Sequence, residues 1–193
     1  ARMANREDGC TGRFWEGRFK CQALLDEQAV LSCMAYVDLN PVRAGICDTL
    51  RGSEYTSVRN RLESTPSSLR NALGRKPQKQ VLRPVAGLDV DTLSELTESS
   101  YIDLVRWTGL QAHPDKRGKL SASQEAPPEG LWCVANHPRE WLRRVQGTES
   151  AYYRAIGSAE ALMLKAADLG QRWMKGVSRE FALKKLREQP VPW

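Results

Sequence analysis

One apolar-periodic segment, opened by Asp26 and closed by Asn40-Pro41 and Gly45, constrains this chain more than any other. Ala29, Leu31, Met34 and Ala35 supply apolar positions at helical spacing, and Val30, Cys33 and Val37 supply others, so the stripe is broad and the helix is expected to be well buried. Asp26 suits the N-cap, and Glu27 falls at the positive end of the helix dipole. At the other end, a residue before proline is pushed out of the helical region. The segment is therefore expected to break at Leu39, with Asn40 capping a short helix that has Pro41 first and ends at Gly45. Tyr36 and Asn40 are four apart and share a face on a continuous helix, whereas a break leaves their relative direction open.

The run Tyr36-Val37-Asp38-Leu39-Asn40-Pro41-Val42-Arg43-Ala44-Gly45 resembles the single-tyrosine, HUH-type transposases, in particular the REP-associated tyrosine transposases. Gly12-Arg13-Phe14-Trp15-Glu16-Gly17-Arg18-Phe19-Lys20 and Leu24-Leu25-Asp26-Glu27 resemble the strand and helix start before that tyrosine. Ser53-Glu54-Tyr55-Thr56-Ser57 resembles the segment after it. The similarity runs from Gly12 to Glu63, and a weaker likeness covers Tyr101 to Gly109 and Gly157 to Gly176.

This resemblance implies an α+β protein: a partial ferredoxin-like transposase domain, strand plus tyrosine helix, followed by a mainly helical C-terminal region. It implies that Tyr36 attacks a phosphodiester of single-stranded or hairpin DNA, leaving a 5′-phosphotyrosine and a free 3′-hydroxyl. Asn40 would contribute to a Mg or Mn site. A phenol is a reasonable nucleophile here, since its ester conserves bond energy, but with a pKa of about 10 it needs activation. The family's His-hydrophobe-His metal pair precedes the tyrosine. The histidines of this chain, His113 and His137, follow it and lie far apart. With Ala1 as its first residue, the chain is expected to be the C-terminal portion of such a transposase, inactive alone and binding metal poorly, with uncovered strand edges that favour self-association. The alternative is a non-catalytic DNA-binding protein derived from a transposase. Taken alone, Tyr36 better suits a core position with a hydrogen-bonded hydroxyl, Asn40 suits a helix cap at least as well as a ligand, and Tyr55, Tyr101, Tyr152 and Tyr153 are expected to pack.

A net charge of +6, with 27% charged residues, suits a polyanionic partner. Arg13, Trp15, Arg18, Lys20 and Arg43 are the candidate DNA-binding residues, because cations interleaved with aromatics can follow a sugar-phosphate backbone while rings stack on bases. A surface strand with buried aromatics explains the same pattern. Apolar runs fall short of the ~20 residues of a membrane span, so a cytoplasmic protein without a membrane partner is expected. The five cysteines, Cys10, Cys21, Cys33, Cys47 and Cys133, include no Cys-x-x-Cys pair and are expected to be buried, reduced thiols.

Three regions follow: 1–63, the C-terminal part of the tyrosine domain; 64–88, a linker rich in polar residues, Pro and Gly; and 89–193, a helical extension that is a candidate DNA-binding unit. Helices are expected over Thr56 to Leu62, Asp91 to Trp107, Pro138 to Val145, Glu149 to Ile156, Ser158 to Leu169 (capped by Ser158, ending at Gly170) and Ser178 to Arg187. Gln111 to Gly130 reads as a loop. The cations Arg172, Lys175, Arg179, Lys184, Lys185 and Arg187 are opposed in their span by Glu180 alone. They suit a solvated helical face or phosphate contact, and the break at Gly170 suits a helix-turn-helix.

Overall fold

The computed structural model describes residues 2–12, 21–64, 96–111, 118–121, 137–150 and 154–187. Among the described residues the protein is mainly helical, with seven helices and a two-stranded parallel sheet. In chain order these are α1 (Arg2–Glu7), β1 (Ala23–Leu24), α2 (Glu27–Arg43), α3 (Ser57–Ser64), α4 (Glu98–Leu110), α5 (Pro138–Ser150), β2 (Ala155–Ile156), α6 (Ala159–Asp168) and α7 (Val177–Arg187). The strand expected over Phe14 to Leu25 is seen only at Ala23–Leu24, with 13–20 outside the described residues. The expected linker also lies outside them except for Ser64, which closes α3. The loop segments 112–117 and 122–130 and residues 91–95 lie outside them as well. The helix expected from Asp91 starts only at Glu98, where Thr97 caps it, and runs on to Leu110.

α2 is the axis of the molecule. The Asp26 carboxylate accepts from Ala29 N at 2.8 Å, which caps the helix as its sequence suggests. The expected break at Asn40-Pro41 does not occur: the helix runs through Pro41 to Arg43. Pro41 removes one amide that would have bonded to the Val37 carbonyl. Val37 is 54% exposed, so water can serve that carbonyl, and the loss comes within a turn of the end. The true stop is Gly45, at φ +72°, where Ile46 N donates to Pro41 O at 3.0 Å and Gly45 N to Val42 O at 2.9 Å. These two bonds satisfy the last carbonyls, and the positive φ suits a residue without Cβ.

One hydrophobic core gathers around this helix. Val30, Leu31, Ala35, Leu39 and Val42 of α2 pack with Val58 of α3, with Tyr101, Ile102, Leu104, Val105 and Trp107 of α4, and with Trp141 and Val145 of α5. Each large side chain so buried contributes about 1.5–3 kcal/mol. Gly109 lets α4 cross closely, since a Cβ there would lie 2.8 Å from Leu39 Cδ2 and 2.7 Å from Leu120 Cδ1. Trp141 Nε1 donates to Thr108 Oγ1 at 2.9 Å, tying α5 to α4. Arg61 of α3 pairs with Glu98 of α4 at 2.8 Å.

A smaller apolar cluster, Ala155, Leu162, Ala166, Met174 and Val177, forms the core of the α6–α7 pair, with Leu25 against it. This pair is fastened to the start of α2. Ala23 and Leu24 align with Ala155 and Ile156, and Asp26, already the α2 cap, also accepts from Ser158 N. Ser158 in turn caps α6 through Ala161 N at 3.2 Å. Gly157 permits this approach: a Cβ there would come within 2.9 Å of Leu25 Cβ. Residues 155–156, expected to end a helix, are thus a strand, because Ala23 N donates to the Arg154 carbonyl at 3.0 Å and Leu25 N to that of Ile156 at 2.9 Å. α5 covers the helix expected over 138–145 and runs on to Ser150, taking in only the first two residues of the one expected over 149–156, of which 151–153 lie outside the described residues.

Two expectations about side chains fail. Cys10 and Cys21 are exposed, Cys10 beside a helix with no buried residue and Cys21 ahead of β1; Cys33 and Cys47 are half-buried free thiols. Tyr55, expected to pack, is 99% exposed and holds φ +61°, where a Cβ is unfavourable. Replacing it with glycine removes that strain without removing a packed ring. Tyr55→Gly is expected to raise the unfolding free energy by up to about 1 kcal/mol in urea titration. A clear loss of stability would show that the ring packs in solution.

Candidate functional site: the tyrosine helix

Because α2 is unbroken through Pro41, Tyr36 and Asn40 lie one turn apart on the same face. Tyr36 is half-buried against the main core, and Asn40 is exposed. Arg43, a further turn along, is 8% exposed and stacks its guanidinium over the Tyr36 ring, with Cζ 5.8 Å from the centroid. Tyr36, Asn40 and Arg43 therefore form one stripe. Arg13, Trp15, Arg18 and Lys20 lie outside the described residues.

Asp38 sits between Tyr36 and Asn40 and, by helical geometry, faces roughly 200° away from each. It is 2% exposed. Its carboxylate accepts from Ser57 N at 2.9 Å, Ser57 Oγ at 2.8 Å and Val58 N at 3.2 Å, which caps α3 from a distant helix. The Tyr101 hydroxyl of α4 donates to the same carboxylate at 2.6 Å. Arg61 lies over the Tyr101 ring, 5.5 Å from its centroid. Burial, with the Asp38 charge and hydrogen bond adding to it, pushes the Tyr101 phenol far above the usual tyrosine range. Asp38 locks α2, α3 and α4 together, and with them the azimuth at which Tyr36 and Asn40 are presented. Reading the motif for its tyrosine and amide passed over this residue. Its signal was an acid placed on the apolar stripe of Ala35, Leu39 and Val42, which calls for buried donors.

A divalent metal does not fit the described residues. Asn40 offers one neutral oxygen, the Asp38 carboxylate is taken up on the opposite side, and no group of three His, Cys, Asp or Glu side chains gathers among the described residues. His137 lies ahead of α5, where its carbonyl accepts from Trp141 N at 3.1 Å; His113 lies outside the described residues. On its other flank α2 lines an open apolar cleft of about 250 Å³ with Leu24, Val30, Cys33, Met34 and Val37. Among the described residues, no helix is long and apolar enough to cross a membrane.

Compared with protein families, curated proteins and solved structures, the chain finds no match in any of the three.

The Tyr101–Asp38 bond gives a signed pH dependence. Tyr101→Phe is expected to cost about 2 kcal/mol at neutral pH, the value of a hydrogen bond to a charged acceptor. A phenol raised in the fold contributes stability that is complete below its unfolded pKa of about 10 and is lost as pH rises beyond it. The stability gap between wild type and Tyr101→Phe should therefore narrow above pH ~10, by up to about 1.4 kcal/mol per pH unit. Urea unfolding at neutral and alkaline pH measures it, and a gap constant across that range would contradict the assignment.

Proposed function

We propose that this chain is a transposase-type protein of the single-tyrosine HUH kind, acting on single-stranded DNA with Tyr36 as its nucleophile. The observation that carries the reading is the continuity of α2 through Pro41, which sets Tyr36 and the exposed Asn40 on one face one turn apart. In this reading β1 and α2 are the last strand and tyrosine helix of a ferredoxin-like domain. The sequence likeness from Gly12 to Glu63 supports it as well.

In the reaction, Tyr36 Oη bonds to the scissile phosphorus as the bond from phosphorus to the 3′-oxygen breaks. The phenolic proton passes to solvent, and the departing 3′-oxygen takes one up to become a hydroxyl. The 5′-phosphotyrosine keeps the ester linkage, so attack by a 3′-hydroxyl reverses the step and rejoins strands. Arg43, packed on the Tyr36 ring, holds the phenol in place. A metal, Mg or Mn in the resembled family, would polarise the phosphate. Because both histidines of this sequence, His113 and His137, follow Tyr36 and lie far apart, the chain is expected to bind DNA without cleaving it. That same misfit favours the second reading, a DNA-binding protein of transposase ancestry that does not cut.

Incubation with a hairpin bearing a single-stranded tail and Mn²⁺ or Mg²⁺, followed by denaturing electrophoresis and anisotropy, tests this. The expected result is salt-sensitive binding with no covalent adduct. An adduct abolished by Tyr36→Phe would establish the nucleophile and overturn the conclusion about metal fit. An adduct that survives Tyr36→Phe, or no DNA binding even at low salt, would overturn the proposal.

A further inference from the structure

The turn and helix that end the described chain hide their one acid and display their cations. Between Leu169 and Lys185 the charged residues are Arg172, Lys175, Arg179, Glu180, Lys184 and Lys185. Glu180 is 8% exposed and pairs with Arg144 of α5 at 2.7 Å. Arg179 is turned inward, donating to the carbonyls of Gly147 at 3.1 Å and Arg143 at 3.0 Å. The exposed charges of this stretch, Arg172, Lys175, Lys184 and Lys185, are therefore all positive.

The same stretch carries two exposed aromatic rings. Trp173, beside Arg172 in the turn, is 56% exposed, and Phe181 of α7 is 49% exposed. Phe181 lies three and four residues before Lys184 and Lys185, one turn away from both. The apolar side of α7, Val177 and Leu183, is already buried, so these rings are not left over from packing that helix inward.

We infer that the exposed side chains of this turn and α7 bind single-stranded nucleic acid, at a site separate from the tyrosine stripe. Cations that follow a phosphate backbone, with rings offered to bases, are the means by which unpaired strands are held. Unpaired bases can stack on Trp173 and Phe181, whereas in a duplex they stack on one another.

The test is anisotropy of a labelled oligothymidylate with the full chain. Trp173→Ala/Phe181→Ala is expected to weaken binding at least about fivefold across salt concentrations. Lys184→Gln/Lys185→Gln is expected to lower the slope of log affinity against log salt by about 1.4. All four side chains are outside both cores, and circular dichroism checks that each variant folds. Wild-type affinity in both double variants would overturn the inference. So would tighter binding of wild type to a duplex of equal length or to phosphatidylglycerol vesicles. If binding falls in Tyr36→Phe and Asn40→Ala but not in these variants, the inference fails while the transposase reading stands.

Discussion

The presentation of the tyrosine stripe depends on a single buried carboxylate. Taking a carboxylate out of water costs several kcal/mol unless donors replace the solvent. Asp38 receives them from two other helices: the first amides of α3 with the Ser57 hydroxyl, and the Tyr101 hydroxyl of α4. The positive end of α3 adds a favourable field. Because these donors are fixed by the core, α2 has one rotational setting that satisfies them. Tyr36 and Asn40, two residues to either side of Asp38, turn away from the donors together.

This arrangement explains which parts of the molecule were readable beforehand. The caps at Asp26 and Ser158, and the stops at Gly45 and Gly170, are local chemistry, and each does what its residue type suggests. What escaped depended on distant partners. Asn40-Pro41 looked like a boundary because local sterics disfavour helix before proline; the Gly45 termination and burial of Leu39 and Val42 outweigh that preference. Residues 155–156 became a strand only because β1 is there to pair. The stripe of Tyr36 and Asn40 was visible as a motif, while the residue that orients it was hidden inside the same motif.

Asp26 gives the fold its second junction. By capping α2 and accepting from Ser158 N, it joins the main helix to the α6–α7 pair through one side chain. The buried set of Glu140, Arg144 and Glu180 adds an ionic fastening from α5 to α7. The tyrosine stripe and the basic-aromatic face thus belong to units joined by strand pairing, a shared cap and ion pairs.

The most direct test of Asp38 as the organising residue is native-state hydrogen exchange at the Ser57 and Val58 amides. Both are at the first turn of a helix, where amides have no partner within the helix and exchange readily. If Asp38 holds them as described, they exchange at rates set by unfolding of the core, and Asp38→Asn brings both close to the rate of an exposed turn. Fast exchange of both amides in the wild-type protein would contradict the account.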